Sequence, residues 1–146
     1  MSWKIFEASA PELASIAHER LNRKIVYLAT VKSDGSPRLH PVTPFIGEGM
    51  LFMFTESTSP KIKDLSKDGR YAMHCAVGGS PLVEVLVSGR AEVITDLSVR
   101  AKATGIAGSP VVTESYYLFE FHVARALVVE YDADKNKMPR HWRSAK

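Results

Sequence analysis

Phe54-Thr55-Glu56-Ser57-Thr58-Ser59-Pro60-Lys61-Ile62-Lys63-Asp64-Leu65 is the stretch on which the reading turns. An apolar run, MLFMFT at residues 50–55, gives way to a hydroxyl-rich loop, and Ser59 then precedes Pro60 and KIKDLSKDG. Serine as N-cap and proline as first helical residue predict a short helix over 60–68, closed by Gly69. The first amides of a helix lack intrahelical partners and carry partial positive charge, so they suit a phosphate. Ser59 would add a hydroxyl there, and Lys61 a full charge. A lysine in the first turn opposes the helix dipole, which an anionic ligand would explain. The same residues also read as an ordinary Ser-Pro helix start with solvated lysines.

Upstream of this stretch, IVYLATV (25–31) is rich in β-branched side chains, and Asp34-Gly35 after it is a strong turn signal. PRLHPVTPFI (37–46) continues extended, but its three prolines cannot donate ladder hydrogen bonds, so it belongs at an edge or is interrupted. Gly47-Glu48-Gly49 turns the chain into residues 50–55, and the three strands are expected as an antiparallel meander. Before them, Ser9-Ala10-Pro11-Glu12 reads as a helix start with Ser9 as cap. Leu13, Ile16, Ala17 and Leu21 continue at helical spacing, and the helix should end near Arg23.

Downstream, RYAMHCAV (70–77) alternates as a strand, with Tyr71, Met73, Cys75 and Val77 on one face. LVEVLVSGRAEVI (82–94) is a longer strand in which Gly89 marks a bulge or bend. Residues 96–106 form a helix capped by Asp96. YYLFEFHV (116–123) and ALVVEY (126–131) are two further strands, and the tail is polar apart from Trp142. The pattern has no βαβ rhythm. Six or seven strands and about three short helices predict a mainly β fold, an antiparallel barrel that closes its own edges.

The chain has 146 residues, enough for a single domain over 1–146 with its own core. Hydrophobic residues are 45% and charged residues 24%, as in ordinary globular proteins. A net charge of +3 suits an anionic ligand, but no basic arm points to nucleic acid; Arg38 and His40 are the one weak hint. The first residues lack the apolar run of a secretory leader, and no stretch approaches the ~20 apolar residues of a membrane span. With one cysteine and hence no intrachain disulfide, a cytoplasmic location is expected. Cys75 itself reads as a small buried hydrophobe. The histidines at 18, 40, 74, 122 and 141 do not have metal-ligand spacing, and no familiar catalytic signature is present, so no metal and no catalytic acid or base is assigned.

Over roughly residues 24–95 the sequence resembles the pyridoxamine 5'-phosphate oxidase-like family, the FMN-binding split β-barrels. FTESTSPKIKDL resembles the family's aromatic-Thr-x-x-x-Ser-x-Lys-x-x-x-Leu stretch. Gly35-Ser36-Pro37 before strand two and EVLVSGRAEVI flank it in the family's order. The resemblance implies that Ser59 and Lys61 hold the FMN phosphate and that Phe54 and Thr55 contact the ring and ribityl chain. It implies that His40, Pro41, Val42 and Thr43 line the flavin mainly with backbone, His40 standing where the oxidase has an arginine. It places Glu84 at a glutamine that approaches the flavin, and Trp142 and Arg143 loosely at a C-terminal Trp and Arg. It implies a homodimer with the cofactor at the subunit interface.

The implied activity is that of an FMN-dependent oxidoreductase, moving a hydride to or from an unidentified small molecule. Phe45 stands where the oxidase has a substrate-binding lysine, and Pro60 where it has an arginine, so pyridoxamine phosphate is not the expected substrate. The alternatives within the resemblance are a reductase using the deazaflavin coenzyme F-420, and a flavin-binding protein without turnover. Neither nucleic acid nor membrane is an expected partner.

Overall fold

The computed structural model describes residues 3–79, 81–108 and 115–145. Two helices come first, α1 (Trp3–Ser9) and α2 (Pro11–Leu21). The sequence gives no periodic warning of α1, which buries Trp3 and Phe6 completely. Ser9 does not cap α2. Its hydroxyl donates back to the Ile5 carbonyl at the end of α1, and Ala10 takes the cap position with no side-chain bond.

Strands β1 (Val26–Val31) and β2 (Pro37–Val42) form the hairpin that Asp34-Gly35 predicts. Gly35 adopts φ +88°, and the Asp34 carboxylate accepts from the amide and hydroxyl of Ser36. The expected three-strand meander does not form. Thr43-Pro44 interrupts the segment, and β3 (Phe45–Gly47) pairs with β4 (Met50–Glu56) at the opposite end of the sheet from β2. Pro37 and Pro41 in β2 are tolerated because β2 is an edge strand.

Helix α3 (Lys61–Lys67) leads to β5 (Arg70–Gly78), and β6 (Val83–Ile94) follows. Gly69, at φ +80°, ends α3 as expected. Helix α4 (Leu97–Ala107) is capped by Asp96, whose carboxylate accepts from the amides of Ser98 and Val99. Residues 116–131 are not two strands but one, β7 (Tyr116–Tyr131), and the tail adds β8 (Lys137–Arg143). Seven strands follow the order β2-β1-β5-β6-β7-β4-β3, all antiparallel, and β8 pairs with β7. β6 occupies one edge of β7, so β4 and β8 share the other, β4 at Tyr116–Glu120 and β8 at Arg125–Tyr131. The bulge predicted at Gly89 is present. The register shifts between Ser88 and Gly89, and a Cβ on Gly89 would lie 2.0 Å from the His122 carbonyl oxygen.

The result is an antiparallel half-barrel. Its main core gathers Trp3, Phe6, Ala17 and Leu21 from the first helices against Leu28, Met73, Val85 and Phe121 of the sheet. Val77, expected on the buried face of β5, is exposed beyond the register break after Cys75. A second, smaller core sets α4 over β4, with Met50, Phe52, Ala103 and Leu118 buried. Leu51 and Met53 face one core and Met50 and Phe52 the other. Burial on both faces is the physical reason that β4 reads as the unbroken apolar run MLFMF. Each fully buried phenylalanine or leucine here contributes roughly 2 kcal/mol of transfer free energy.

Candidate functional site

The site begins where β4 runs out of core. Met53 is still buried, Thr55 is buried at 4% exposure, and Glu56 is exposed. The chain then turns, with the Ser59 amide donating to the Glu56 carbonyl. Pro60, at helical φ −64° and ψ −19°, occupies the cap position of α3, so Ser59 is not its N-cap. The Ser59 hydroxyl instead accepts from Lys61 Nζ at 2.9 Å. This contact folds the lysine back over the start of α3, and both residues line an open cleft of about 420 Å³. Of the ten side chains expected around a cofactor, seven line this cleft: Pro41, Val42, Thr43, Phe54, Thr55, Ser59 and Lys61. Phe54 meets Phe52 edge-on at 6.1 Å and so also belongs to the smaller core.

His40 lies beside this set. It shares the inward face of β2 with Arg38 and Val42, opposite Leu28 and Thr30 of β1. Burial, and then the charges of Lys61 and Arg38, hold the His40 imidazole down to about 4, so it is neutral near pH 7. Burial likewise lowers Lys61 below the ordinary lysine range. Two buried polar atoms here have no hydrogen-bond partner, Thr55 Oγ1 and His40 Nε2. Unpaired buried polar groups are costly in a folded protein, and at a cleft they mark positions that a ligand can satisfy. Arg38 and Lys61 both act on His40, against Asp64, and Glu56 acts on Lys61 in turn.

Two residues at this site escaped the sequence reading as a pair. Arg38 Nε contacts Asp64 Oδ2 at 2.7 Å, and Thr30 Oγ1 donates to the same oxygen at 2.7 Å. Arg38 and Asp64 lie 26 residues apart, and no local pattern links them. Tyr116, at the start of β7, also lines the cleft and reaches Glu56 at 3.4 Å. Its signal exists only in the β4–β7 register, which pairs it with Glu56.

Glu84 and Trp142 are elsewhere in the chain. Glu84 accepts from His74 Nε2 at 2.8 Å and from the Tyr131 hydroxyl at 3.5 Å. Trp142 packs on Phe6 at 4.8 Å between centroids and lines a separate concavity. Phe45 stacks on Phe52 at 5.7 Å beneath the Arg23 guanidinium, so it is a packing residue. Cys75 is buried, its Sγ accepts from the Val85 amide, and burial raises its thiol. Among the described residues, no cluster could hold a metal ion. None of their helices is long and apolar enough to cross a membrane. What the cleft can do chemically is hold an anion at Lys61 and Ser59 and offer a hydroxyl and an imidazole close by.

The sequence model of a family described as pyridoxamine 5'-phosphate oxidase matches residues 14–131. The chain belongs to this family. The match takes in the cleft entire and ends before β8. No curated protein matches the chain in sequence. Solved structures share the family fold at low identity. A structure of a haem-binding protein from Mycobacterium smegmatis superposes with TM-score 0.72 and 17% identity. That similarity covers 92% of this chain and 58% of the mycobacterial one, so the chain spans a little over half of that neighbour's length. General Stress Protein 26 from Bacillus anthracis gives TM-score 0.66 at 16% identity, over 90% of this chain and 98% of that one. PhzG from Burkholderia lata, solved in complex with tetrahydrophenazine-1-carboxylic acid, gives 0.62 at 14%, over 95% and 92%. The pyridoxamine 5'-phosphate oxidase fold thus covers nearly the whole chain, and these likenesses concern the fold alone.

Proposed function

We propose that this protein is an FMN-dependent oxidoreductase whose cofactor phosphate is held by Lys61 and Ser59. The observation that carries the reading is the cleft at the start of α3. There a lysine is half-buried with no ion-pair contact among the described residues, its ammonium resting on the Ser59 hydroxyl and Glu56 of the same cleft acting on it only from a distance, and Thr55 Oγ1 is buried with no hydrogen-bond partner. A phosphate would satisfy the first two, and Thr55 would donate to the polyol chain. His40, neutral and unpartnered at Nε2, would donate to the same phosphate. Pro41, Val42 and Thr43 would flank the ring, with Phe54 at its edge. Bound flavin would supply hydride acceptance or donation; these residues would supply position and a dry, cationic surrounding.

The substrate in this reading is an unidentified small molecule. Phe45 is engaged with Phe52 and offers no cation for a second phosphate, which leaves pyridoxamine phosphate unsupported. A homodimer belongs to the same reading. Tyr27 at 47% exposure and Leu39 at 68% share the outer face of β1 and β2 beside the cleft, and a second copy would cover them. Glu84 and Trp142, remote from the cleft within one chain, would reach a cofactor only from such a copy.

The test is an absorbance spectrum after incubation with FMN and desalting, with Lys61→Ala alongside and sedimentation for the oligomeric state. Retained flavin absorbance that the variant loses supports the reading. Retention of the deazaflavin coenzyme in place of FMN moves the assignment to a deazaflavin-dependent reductase. Retained FMN that no nicotinamide donor or small electron acceptor turns over makes the protein a flavin carrier. A parallel incubation with hemin examines the ligand named for the mycobacterial neighbour.

A further inference from the structure

β6 ends at Ile94 and α4 begins at Leu97. Where they meet the start of β7 lies an open groove of about 470 Å³, which Val93, Leu97, Arg100 and Tyr117 help to line. That size is within the range of small-molecule pockets, roughly 300–1,000 Å³. The main core stops short of it. Phe119 is fully buried, but Tyr117, next along the same face of β7, stacks on Phe119 at 6.3 Å and is 41% exposed. Val93, in register with Phe119, is exposed as well, and Leu97 is 82% exposed. Leu97 belongs to neither core, and Asp96 already caps α4, so folding does not call for a leucine here. Single exposed apolar residues are ordinary, but several gathered around one concavity mark a binding surface.

Arg100 brings a charge to this apolar groove. One Nη donates to the Tyr116 carbonyl at 3.0 Å, which holds the half-buried guanidinium against β7. A guanidinium carries five N–H donors, so an edge remains that can fork onto a carboxylate. Among the described residues Arg100 has no ion-pair partner. Asp96 accepts from the amides of Ser98 and Val99, and Glu56 faces the Tyr116 hydroxyl at 3.4 Å. Arg100 also stands in the first turn of α4, where a cation opposes the helix dipole and an anion beside it relieves the conflict.

We propose that this groove is a binding site for a medium-chain aliphatic carboxylate. The carboxylate takes the free edge of the Arg100 guanidinium, and the chain lies along Val93, Ile94, Leu97 and the Tyr117 ring. Three of these four are aliphatic, and an open groove suits a flexible chain laid along it. Tyr116 borders both this groove and the Lys61 cleft, so the ligand lies beside the cleft without using Lys61 or Ser59. The site goes beyond the flavin reading and does not depend on it.

Calorimetric titration of the full chain with octanoate, butanoate and neutral octanamide tests this, with Arg100→Gln, Arg100→Lys, Leu97→Glu and Lys61→Ala. Leu97 is largely exposed, and a glutamate at a helix start agrees with the dipole, so Leu97→Glu should fold even if Arg100→Gln does not; circular dichroism verifies both. The expected result is saturable octanoate binding, with butanoate about tenfold weaker for want of methylenes and octanamide about tenfold weaker for want of charge. Arg100→Gln should weaken octanoate about tenfold, Arg100→Lys less, Leu97→Glu should abolish binding, and Lys61→Ala should leave it unchanged. Octanamide or butanoate binding as tightly as octanoate, octanoate binding that survives Leu97→Glu or is lost in Lys61→Ala, or no saturable binding at millimolar octanoate, overturns the proposal.

Discussion

Arg38 Nε lies 2.7 Å from Asp64 Oδ2, and this contact ties edge strand β2 to the helix that carries Lys61. The Asp64 side chain is 4% exposed, whereas Arg38 is 29% exposed. Burial pushes the carboxyl up, but the bonds from Arg38 and Thr30 outweigh it and leave Asp64 below its ordinary value. Removing the arginine strands a buried carboxylate. Arg38→Ala should therefore cost about 2–3 kcal/mol in urea unfolding at neutral pH, less than for a fully buried pair. A folded value below the unfolded one means stability present at neutral pH and lost as pH falls through the acidic range. The penalty of Arg38→Ala should shrink there, and a pH-independent penalty would refute the ion pair as its cause.

His40 gives a second pH effect in a different window. Its folded value is about 4 against an ordinary 6.5, so the unfolded chain takes up a proton first as pH falls. Stability should drop between pH 6.5 and 4, and His40→Gln should flatten the slope in that window. Added phosphate should raise the His40 midpoint in a proton NMR titration, because an anion beside the ring favours the imidazolium. An unmoved midpoint would separate His40 from the anion site.

Thr55 should show function and stability pulling apart. Its buried hydroxyl has no partner in the free protein, and valine is nearly isosteric. Thr55→Val should stabilise the free protein by about 1 kcal/mol while weakening FMN retention. Thermal unfolding with and without FMN reads both; a destabilised free variant would mean that the hydroxyl is already satisfied.

Gly89 and Gly105 should respond oppositely to alanine. At Gly89 a Cβ would meet backbone, the His122 carbonyl oxygen at 2.0 Å, so the bulge must deform and the loss should reach about 3 kcal/mol. At Gly105, inside α4, nothing lies within 4 Å of the added carbon, so helix propensity should gain about 0.5–1 kcal/mol. Chemical denaturation of the two variants against wild type decides it.

Local physics was legible in the sequence, and pairing was not. Asp34-Gly35, Asp96 and Gly69 each act through neighbours a few residues away, and each does what its chemistry predicts. The segment from Phe54 to Lys61 was legible for the same reason, since strand end, loop and helix start are contiguous. Its capping detail differed because the Lys61 ammonium takes the Ser59 hydroxyl. The partner of β4 was not legible, because β4 pairs across more than 60 residues with β7 and not with its neighbour β2. Nor was β8, whose polar residues alternate with Trp142 only because Phe6 waits to receive it. The Arg38–Asp64 pair is invisible for the same reason: it exists only once α3 packs against β1 and β6 and brings Asp64 to Thr30 and Arg38.

β7 serves three neighbours along sixteen residues, and the ribosome delivers it after two of them, β4 and β6. Until Tyr116 and the residues after it emerge, Leu51, Phe52 and Met53 of β4 have no sheet to join beyond the three residues of β3. The N-terminal half must then spend much of its synthesis with the most apolar strand in the protein unsheltered. Nascent chains stopped before residue 116 should accordingly be protease-sensitive and chaperone-bound, and folding should come as a concerted event once β7 arrives.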